Sequence, residues 1–251
     1  MDFILEPLRD LPLWSVFVIT IFFAYMFGAV PFSMIVGKTF FGVNLQKEGS
    51  GNLGATNTFR VLGAKAGIGI LLLDMTKGAI PIFVARWIAS AVDLSPELHP
   101  WLLIGVALAA VIGHTASPYI KFRGGKGAAT SAGVMLALVP IVFLISVVIF
   151  FSLLGITRYV SVATIGCAVT FPLWTALVYQ VIPQDWQTWP LTLFAFVVGM
   201  MVTVLHRANI SRLRAGTESK FSWKDRGKRN AEQIDASAAE QAGEAPAGNN
   251  G

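Results

Sequence analysis

Charged residues are scarce in this chain. Lys, Arg, Asp and Glu together make up 13% of its 251 residues, whereas soluble globular domains carry about 25%, and the mean hydropathy is +0.65. This shortage excludes an ordinary soluble domain. Cysteine is scarcer still, because Cys167 is the single cysteine and lies within an apolar run. An internal disulfide and a cysteine-based metal site are therefore excluded.

Long apolar blocks take the place of the missing charge. They are 16 to 28 residues long, close to the roughly 17–25 that a helix needs to cross the hydrocarbon core of a bilayer. They predict an all-α integral membrane protein whose surroundings are membrane lipid. Because Lys and Arg lie between the blocks, the pI of about 9.5 indicates membrane topology and not a nucleic-acid partner. The blocks are Leu13–Val36, Ala66–Val92, Trp101–Ala116, Ala128–Gly155, Val160–Ile182 and Trp189–Leu205.

The gaps between the blocks alternate in charge. Asp93–Pro100 and Pro183–Thr188 contain acidic residues and neither Lys nor Arg, and the first ten residues are net negative. By the positive-inside rule the N-terminus and these gaps are external, whereas the basic gaps and the C-terminus are cytoplasmic. The basic segments are Lys38–Lys65, Lys121–Lys126, Arg158 and Arg207–Arg229.

This orientation predicts seven transmembrane helices. Ala128–Gly155 joins two cytoplasmic segments, so it must contain two short helices that meet near Pro140, since proline ends or kinks a helix. The alternative is six crossings, with one helix across that block. Six crossings would place the most basic segment outside, against the positive-inside rule, and seven is therefore preferred.

The chain divides into three parts. Residues 1–12 form an external N-terminus, residues 13–218 a polytopic helical membrane domain, and residues 219–251 a cytoplasmic tail. From about residue 230 the tail is rich in Ala, Gly, Glu and Asn without apolar periodicity, a composition that predicts disorder.

A polar, glycine-rich stretch, GSGNLGATN, follows the first block at Gly49–Asn57. Glycine lets successive backbone N–H groups converge on an anion, and Arg60 adds a fixed cation three residues later. The alternative is a flexible turn.

A second glycine-rich loop, KFRGGKG at Lys121–Gly127, places three basic residues around glycines just before a predicted helix. A phosphate would fit at that helix start. The loop differs from the usual ATP-binding pattern, because Ile120 stands where that pattern requires glycine and Gly127 replaces its Ser or Thr. The alternative is a basic anchor that contacts lipid headgroups.

Ionisable residues within the blocks are few. Asp74 and Lys77, three positions apart, predict a structural ion pair inside a membrane span. Five residues after the three histidines stand Ile104, Tyr119 and Ser211, so the His–Asp dyad of many acyl-CoA acyltransferases is missing. These residues predict a cytoplasm-facing site for phosphate-bearing substrates, without metal or cofactor. A transporter for phosphorylated solutes is the alternative.

Four motifs, in this order, resemble the bacterial acyl-phosphate:glycerol-3-phosphate acyltransferase family (PlsY). Two departures from the family pattern are visible: Leu53 and Ser117 stand where proline is common. The motifs are SGNLGATN at Ser50–Asn57, GH at Gly113–His114 with FRGGKGAAT at Phe122–Thr130, TRYVSVATI at Thr157–Ile165, and HRANISRLRAGTE at His206–Glu218.

The resemblance implies transfer of a fatty acyl group from acyl-phosphate to glycerol 3-phosphate, which gives lysophosphatidic acid and phosphate as the first step of phospholipid synthesis. It also implies a multi-pass protein of the bacterial cytoplasmic membrane, with its active site facing the cytoplasm. A soluble enzyme that produces acyl-phosphate is an expected partner.

The matching motif positions carry the family's site residues. Ser50, Asn52, Thr56 and His206 are the predicted catalytic residues. Either His206 or the phosphate dianion of a substrate takes the hydroxyl proton. The predicted substrate-binding residues are Gly51, Gly54, Asn57, Arg60, His114, Gly124, Gly125, Lys126, Ser161, Asn209, Arg212 and Glu218.

Overall fold

The structure is a computed structural model that describes residues 11–185 and 188–221. The predictions for most of the external N-terminus and for the disordered tail concern residues outside this range. The described residues form ten α-helices, with a 3-10 turn at Pro118–Ile120 and a π-helical turn at Leu177–Val181. In chain order the helices are α1 Leu13–Gly28, α2 Phe32–Phe41, α3 Ala55–Leu62, α4 Ala64–Ala91, α5 His99–Thr115, α6 Ala128–Leu138, α7 Pro140–Thr157, α8 Val160–Ala176, α9 Trp189–Leu205 and α10 Arg207–Arg214.

The predicted class, an all-α protein with several membrane spans, is confirmed. In the part of the chain that the structure describes, 5 helical segments are long and apolar enough to cross a bilayer, or up to 6 if the bent pair α9–α10 counts as one span. The five are Leu13–Phe41, Ala64–Ala91, His99–Ile120, Pro140–Thr157 and Val160–Val181. The count of seven and the orientation of the termini stay predictions.

The break predicted near Pro140 is present. Helix α6 ends at Leu138, Val139 adopts φ −136° and ψ 63°, and α7 begins at Pro140. The two helices are unequal, with 11 and 18 residues, or about 16 and 27 Å at the rise of an α-helix. Alone, α6 is too short to cross a hydrocarbon core of about 30 Å.

Close packing against α4 covers α6. A Cβ at Gly133 of α6 would overlap the Met75 backbone carbonyl of α4, and a Cβ at Gly78 of α4 would overlap the Thr130 carbonyl of α6. Glycine at both contacts lets the two backbones touch, as small residues do at helix interfaces in membranes.

The centre of the bundle is α5, which packs against α1, α4 and α9. Its Leu102, Val106 and Val111 are completely buried. The outer faces carry exposed apolar side chains, such as Phe22 and Leu144, each 62% exposed. Such an apolar exterior on a long-helix bundle is the surface that lipid requires.

Candidate active site

A cavity of about 420 Å³ lies between the helices and the polar loops. It has a polar part and an apolar part. Most of the predicted site residues line it, although the two glycine loops, the start of α8 and the last helix are far apart in the sequence. These are Ser50, Asn52, Gly54, Thr56, Asn57, Arg60, His114, Lys126, Ser161, His206, Asn209, Arg212 and Glu218.

The remaining three predicted residues are glycines with other surroundings. Gly51 adopts φ +68°, the left-handed region that favours glycine, and its N–H donates to the Glu48 carbonyl, which closes a turn. Gly124 and Gly125 line a second cavity of about 10 Å³. They shape the backbone beside the larger cavity.

Asn57 holds the first glycine loop in shape. Its Oδ1 accepts hydrogen bonds from the Ser50 N–H at 2.8 Å and the Ser50 hydroxyl at 3.0 Å. Its Nδ2 donates to the carbonyls of Leu45 at 3.1 Å and Glu48 at 3.0 Å. The side chain is 1% exposed and both of its polar ends are engaged. Asn57 therefore organises the loop around it, a role that its position in the motif does not reveal.

Helix α3 continues this loop into the cavity wall. It begins at Ala55, and Thr56 and Arg60 lie one helical turn apart on the cavity side. The first backbone N–H groups of a helix are unpaired within it and carry a partial positive charge. The wall thus combines a helix start, a hydroxyl and a guanidinium, which suits a bound anion.

The second glycine loop delivers a cation. Lys126 lies beside Gly127, which adopts φ +78° and precedes α6, and its Nζ donates a hydrogen bond to Asn209 Oδ1. Burial lowers the pKa of Lys126 to about 8, and the positive charges of Arg212 and Arg60 act in the same direction. A bound phosphate would relieve this crowding of positive charge.

The chain bends by 53° between α9 and α10, at His206. His206 is buried, and its Nδ1 lies 2.7 Å from the Val202 carbonyl. Because a carbonyl oxygen only accepts, the ring proton is on Nδ1 and the neutral ring keeps a lone pair on Nε2. Nε2 is the nitrogen that can accept a proton.

Glu218 connects three predicted site residues. Its Oε1 accepts from the Ser161 hydroxyl at 2.9 Å and from Asn209 Nδ2 at 2.7 Å. Its Oε2 accepts from Arg212 Nε at 2.7 Å. Burial raises the pKa of this carboxyl, but the hydrogen bonds from Asn209, Arg212 and Ser161 outweigh burial and lower it. Glu218 thus holds Arg212 beside Ser161 and Asn209.

The predicted ion pair inside the membrane span is present, with Lys77 Nζ 2.8 Å from Asp74 Oδ1. His114, from α5, joins it, and Asp74 and His114 both reach the larger cavity. The sequence contains the pair but gives no sign of the third member, because that contact depends on how α4 and α5 pack.

The apolar part of the cavity was not predicted. It is formed by side chains of α7, α8 and α9, which line it as other faces of the same helices meet lipid. Hydrophobic periodicity does not distinguish the cavity-lining faces from the lipid-facing ones, because each of these helices is apolar on nearly all sides. The apolar lining includes Phe143, Val147, Phe150, Phe151, Phe171, Val198 and Val202.

Comparison with known proteins gives concordant results. A family model described as glycerol-3-phosphate acyltransferase matches residues 18–216. A glycerol-3-phosphate acyltransferase of Macrococcus caseolyticus is 44% identical over 202 residues, covering 80% of this chain and 95% of that relative. One from Staphylococcus aureus is 39% identical over 208 residues, covering 82% of this chain and 98% of that relative.

Two crystal structures of PlsY (YgiH), an integral membrane glycerol 3-phosphate acyltransferase, are similar in fold. The glycerol 3-phosphate form has a TM-score of 0.71 at 34% identity, and the lysophosphatidic acid form has 0.68 at 33%. Each comparison covers 82% of this chain and 96% of the other.

Proposed function

This chain belongs to the glycerol-3-phosphate acyltransferase family, and on that premise we propose that it transfers a fatty acyl group from acyl-phosphate to a hydroxyl of glycerol 3-phosphate. The products are lysophosphatidic acid and inorganic phosphate. The family resemblance and the acyltransferase class inferred from the sequence are confirmed by the relatives and the similar structures.

The observation that supports this proposal is the separation of the cavity into a polar part and an apolar part. Lys126, Arg60 and Arg212 supply positive charge at its polar part, whereas the aromatic and aliphatic side chains of α7–α9 form its apolar part. Both proposed substrates bear phosphate, and the donor also bears a long acyl chain. One cavity with cations beside an apolar groove suits both substrates, with the phosphates among the cations and the acyl chain between the helices.

Acyl-phosphate as the donor agrees with the chemistry available. An acyl-phosphate is a mixed anhydride, so its carbonyl is already activated and phosphate is a good leaving group. Such a donor requires positioning and stabilisation of developing charge more than a strong nucleophile on the enzyme. Apart from the carboxylates of Asp74 and Glu218, the polar residues around the cavity are donors and cations of this kind.

In the proposed reaction the glycerol 3-phosphate hydroxyl attacks the carbonyl carbon of the donor. His206 Nε2 accepts the hydroxyl proton as the new C–O bond forms. Ser50, Asn52 and Thr56 stabilise the oxyanion of the tetrahedral intermediate. The bond from the carbonyl carbon to the phosphate oxygen then breaks, and the phosphate leaves beside Lys126 and takes up the proton.

The acceptor is proposed to lie near the group of side chains around Glu218. Ser161 and Asn209 both bond to this carboxylate, which fixes their polar atoms along the cavity wall. Arg212 is held by the same carboxylate and retains N–H groups beyond its bonded Nε for a phosphate.

We further propose the orientation predicted from charge: seven crossings, an external N-terminus and a site that faces the cytoplasm in the cytoplasmic membrane. The seventh crossing would be α6, and its packing against α4 shields a helix too short to cross lipid alone. The meeting of the basic loops at one cavity supports their common placement on one side. A soluble enzyme that makes acyl-phosphate is the proposed partner.

The decisive experiment uses the purified full chain in lipid vesicles with radiolabelled glycerol 3-phosphate. Parallel reactions receive palmitoyl-phosphate or palmitoyl-CoA. Labelled lysophosphatidate from palmitoyl-phosphate alone is the expected result. Product from palmitoyl-CoA alone would overturn the donor assignment, and label taken up into vesicles without any lysophosphatidate would favour a transporter.

A further inference from the structure

A three-residue ion cluster lies inside the membrane domain, beside the loops that carry the proposed chemistry. It consists of Asp74 and Lys77 from α4 and His114 from α5. Their side chains are almost completely buried, at 1%, 2% and 7% exposure. Isolated charges at such depth are costly unless they are paired and hydrogen-bonded, so a cluster kept there requires an explanation.

The contacts of Lys77 define the protonation of the cluster. Its Nζ lies 2.8 Å from Asp74 Oδ1, 2.9 Å from the Val30 carbonyl and 3.0 Å from His114 Nδ1. An ammonium has three N–H donors and cannot accept, so each donor has one partner. His114 Nδ1 is therefore an acceptor, and the neutral His114 ring carries its proton on Nε2.

The Nε2 edge of the His114 ring lies where the two glycine loops meet. A Cβ at Gly125 would overlap both His114 Nε2 and the Leu53 carbonyl. The Gly125 N–H also donates to the His114 carbonyl at 3.1 Å. Leu53 belongs to the first loop and Gly125 to the second, so the histidine touches the place where the backbones of both loops approach.

These contacts connect the cluster to both sides of the proposed site. Gly125 precedes Lys126, the cation of the second loop, and Leu53 follows Asn52 of the first. The Val30 carbonyl, which Lys77 holds, lies at the break between α1 and α2. A shift of the His114 ring would therefore move the two loops relative to each other.

We propose that Asp74, Lys77 and His114 form a positioning cluster that sets the separation of the two glycine loops. The cluster places Lys126 opposite the first loop, and Lys77 acts through the His114 ring without contact to the reacting atoms. The kinetic consequences of this inference rest on the proposed function, whereas its structural consequences do not.

The test compares three variants of the full chain. Lys77→Met removes the ammonium and keeps an unbranched stem, but leaves the Asp74 carboxylate buried without its cation. The double variant Asp74→Asn/Lys77→Met removes both charges. Thr20→Val is the matched control, because Thr20 is equally buried and bonds only within α1, to the Val16 carbonyl.

We expect Lys77→Met to lower kcat/KM for glycerol 3-phosphate by roughly 10–100-fold, the range that a displacement of about 1 Å produces. Amide hydrogen exchange in residues 49–57 and 121–127 should become faster. In the double variant the Tm should return close to the wild-type value while the kinetic loss and the fast exchange persist. Thr20→Val should change neither.

A double-mutant cycle shows whether the cluster acts through the second loop. In a Lys126→Ala background, Lys77→Met should lower the residual activity by less than about threefold, because groups that act as a unit are non-additive. A full multiplicative loss would overturn the proposed route.

Recovery of kcat/KM together with Tm in the double variant would mean that the cluster only stabilises the bundle. Unchanged amide exchange in both loops would also overturn the proposal. If the wild-type chain forms no lysophosphatidate, the proposed function fails, and the exchange measurement still decides whether the cluster positions the loops.

Discussion

Lys126 of the second glycine loop donates a hydrogen bond to Asn209 Oδ1 of α10, although the two residues are 83 positions apart in the chain. Asn209 in turn donates to Glu218. The Lys126 ammonium is thus held in place by the neutral amide of Asn209. The Glu218 carboxylate bonds to the other end of that amide. Lys126 keeps its charge for an incoming anion while its position is fixed.

The pH dependence of substrate binding should reveal this lysine. Burial and two neighbouring arginines lower its pKa to about 8, so Lys126 in the empty site loses its charge as pH rises through about 8. The KM for acyl-phosphate, whose phosphate is proposed to lie beside Lys126, should therefore increase between pH 7 and 9. Measuring initial rates over this range in buffers of constant ionic strength provides the test.

Lys126→Arg is the control for this prediction. Arginine stays charged throughout the range, so the rise in KM should be absent even if the overall rate is lower. The substrate phosphates do not contribute, because their second ionisation near pH 6 is complete. Identical pH profiles for wild type and Lys126→Arg would assign the ionisation to another group.

Replacing His206 with glutamine should lower kcat by roughly 100–1,000-fold, within the range typical of general-base catalysis. The reason is that Nδ1 is bonded to the Val202 carbonyl, which leaves Nε2 to accept the proton. The KM values for both substrates should change little. His99→Gln, at the start of α5, is the matched control and should be neutral. Near-normal turnover in His206→Gln would instead indicate that a substrate phosphate takes the proton.

Substitution of Asn57 should affect mainly stability, whereas substitution of Asn52 should affect mainly catalysis. Asn57→Ala leaves the Ser50 N–H and the Leu45 carbonyl without their partner, whereas the Glu48 carbonyl still accepts from the Gly51 N–H. Leu45 is buried, and an unpaired buried carbonyl costs about 1–3 kcal/mol, so the Tm should fall clearly. Asn52→Ala, on the cavity wall, should lower kcat with little change in Tm. Equal Tm values for the two variants would contradict the organising role of Asn57.

The contact between α4 and α6 should be intolerant of a methyl group. In Gly133→Ala the new Cβ would overlap the Met75 backbone carbonyl, and backbone cannot move aside as a flexible side chain can. Thermal unfolding in detergent should show a lower Tm. Gly69→Ala on α4 is the matched control, because no atom lies within 4 Å of its Cβ position, and it should unfold like wild type.

Much of the helical architecture followed from the sequence. Apolar blocks of membrane-spanning length predicted the class, and Pro140 predicted the break between α6 and α7. The unequal lengths follow from the place of Pro140 in the predicted block, closer to its start at Ala128 than to its end at Gly155.

The sequence predicted which residues line the site better than it predicted what each of them does there. Motif positions identified the residues that meet at the cavity, including Lys126, Asn209 and Glu218. The organising contacts of Asn57 and the third member of the Asp74–Lys77 cluster depend on residues brought together by helix packing. The sequence alone contains no measure of that packing.

The segment after α10 returns to the cavity, and this affects how the protein can be joined to another. Residues 218–221 contribute to its wall, the Phe221 N–H donates to the Arg158 carbonyl at 2.6 Å, and the Phe221 ring lies 5.6 Å from that of Phe59. A fusion partner attached after Arg214 would remove this part of the wall. One attached after Phe221 would leave the wall intact, so the useful attachment points begin there.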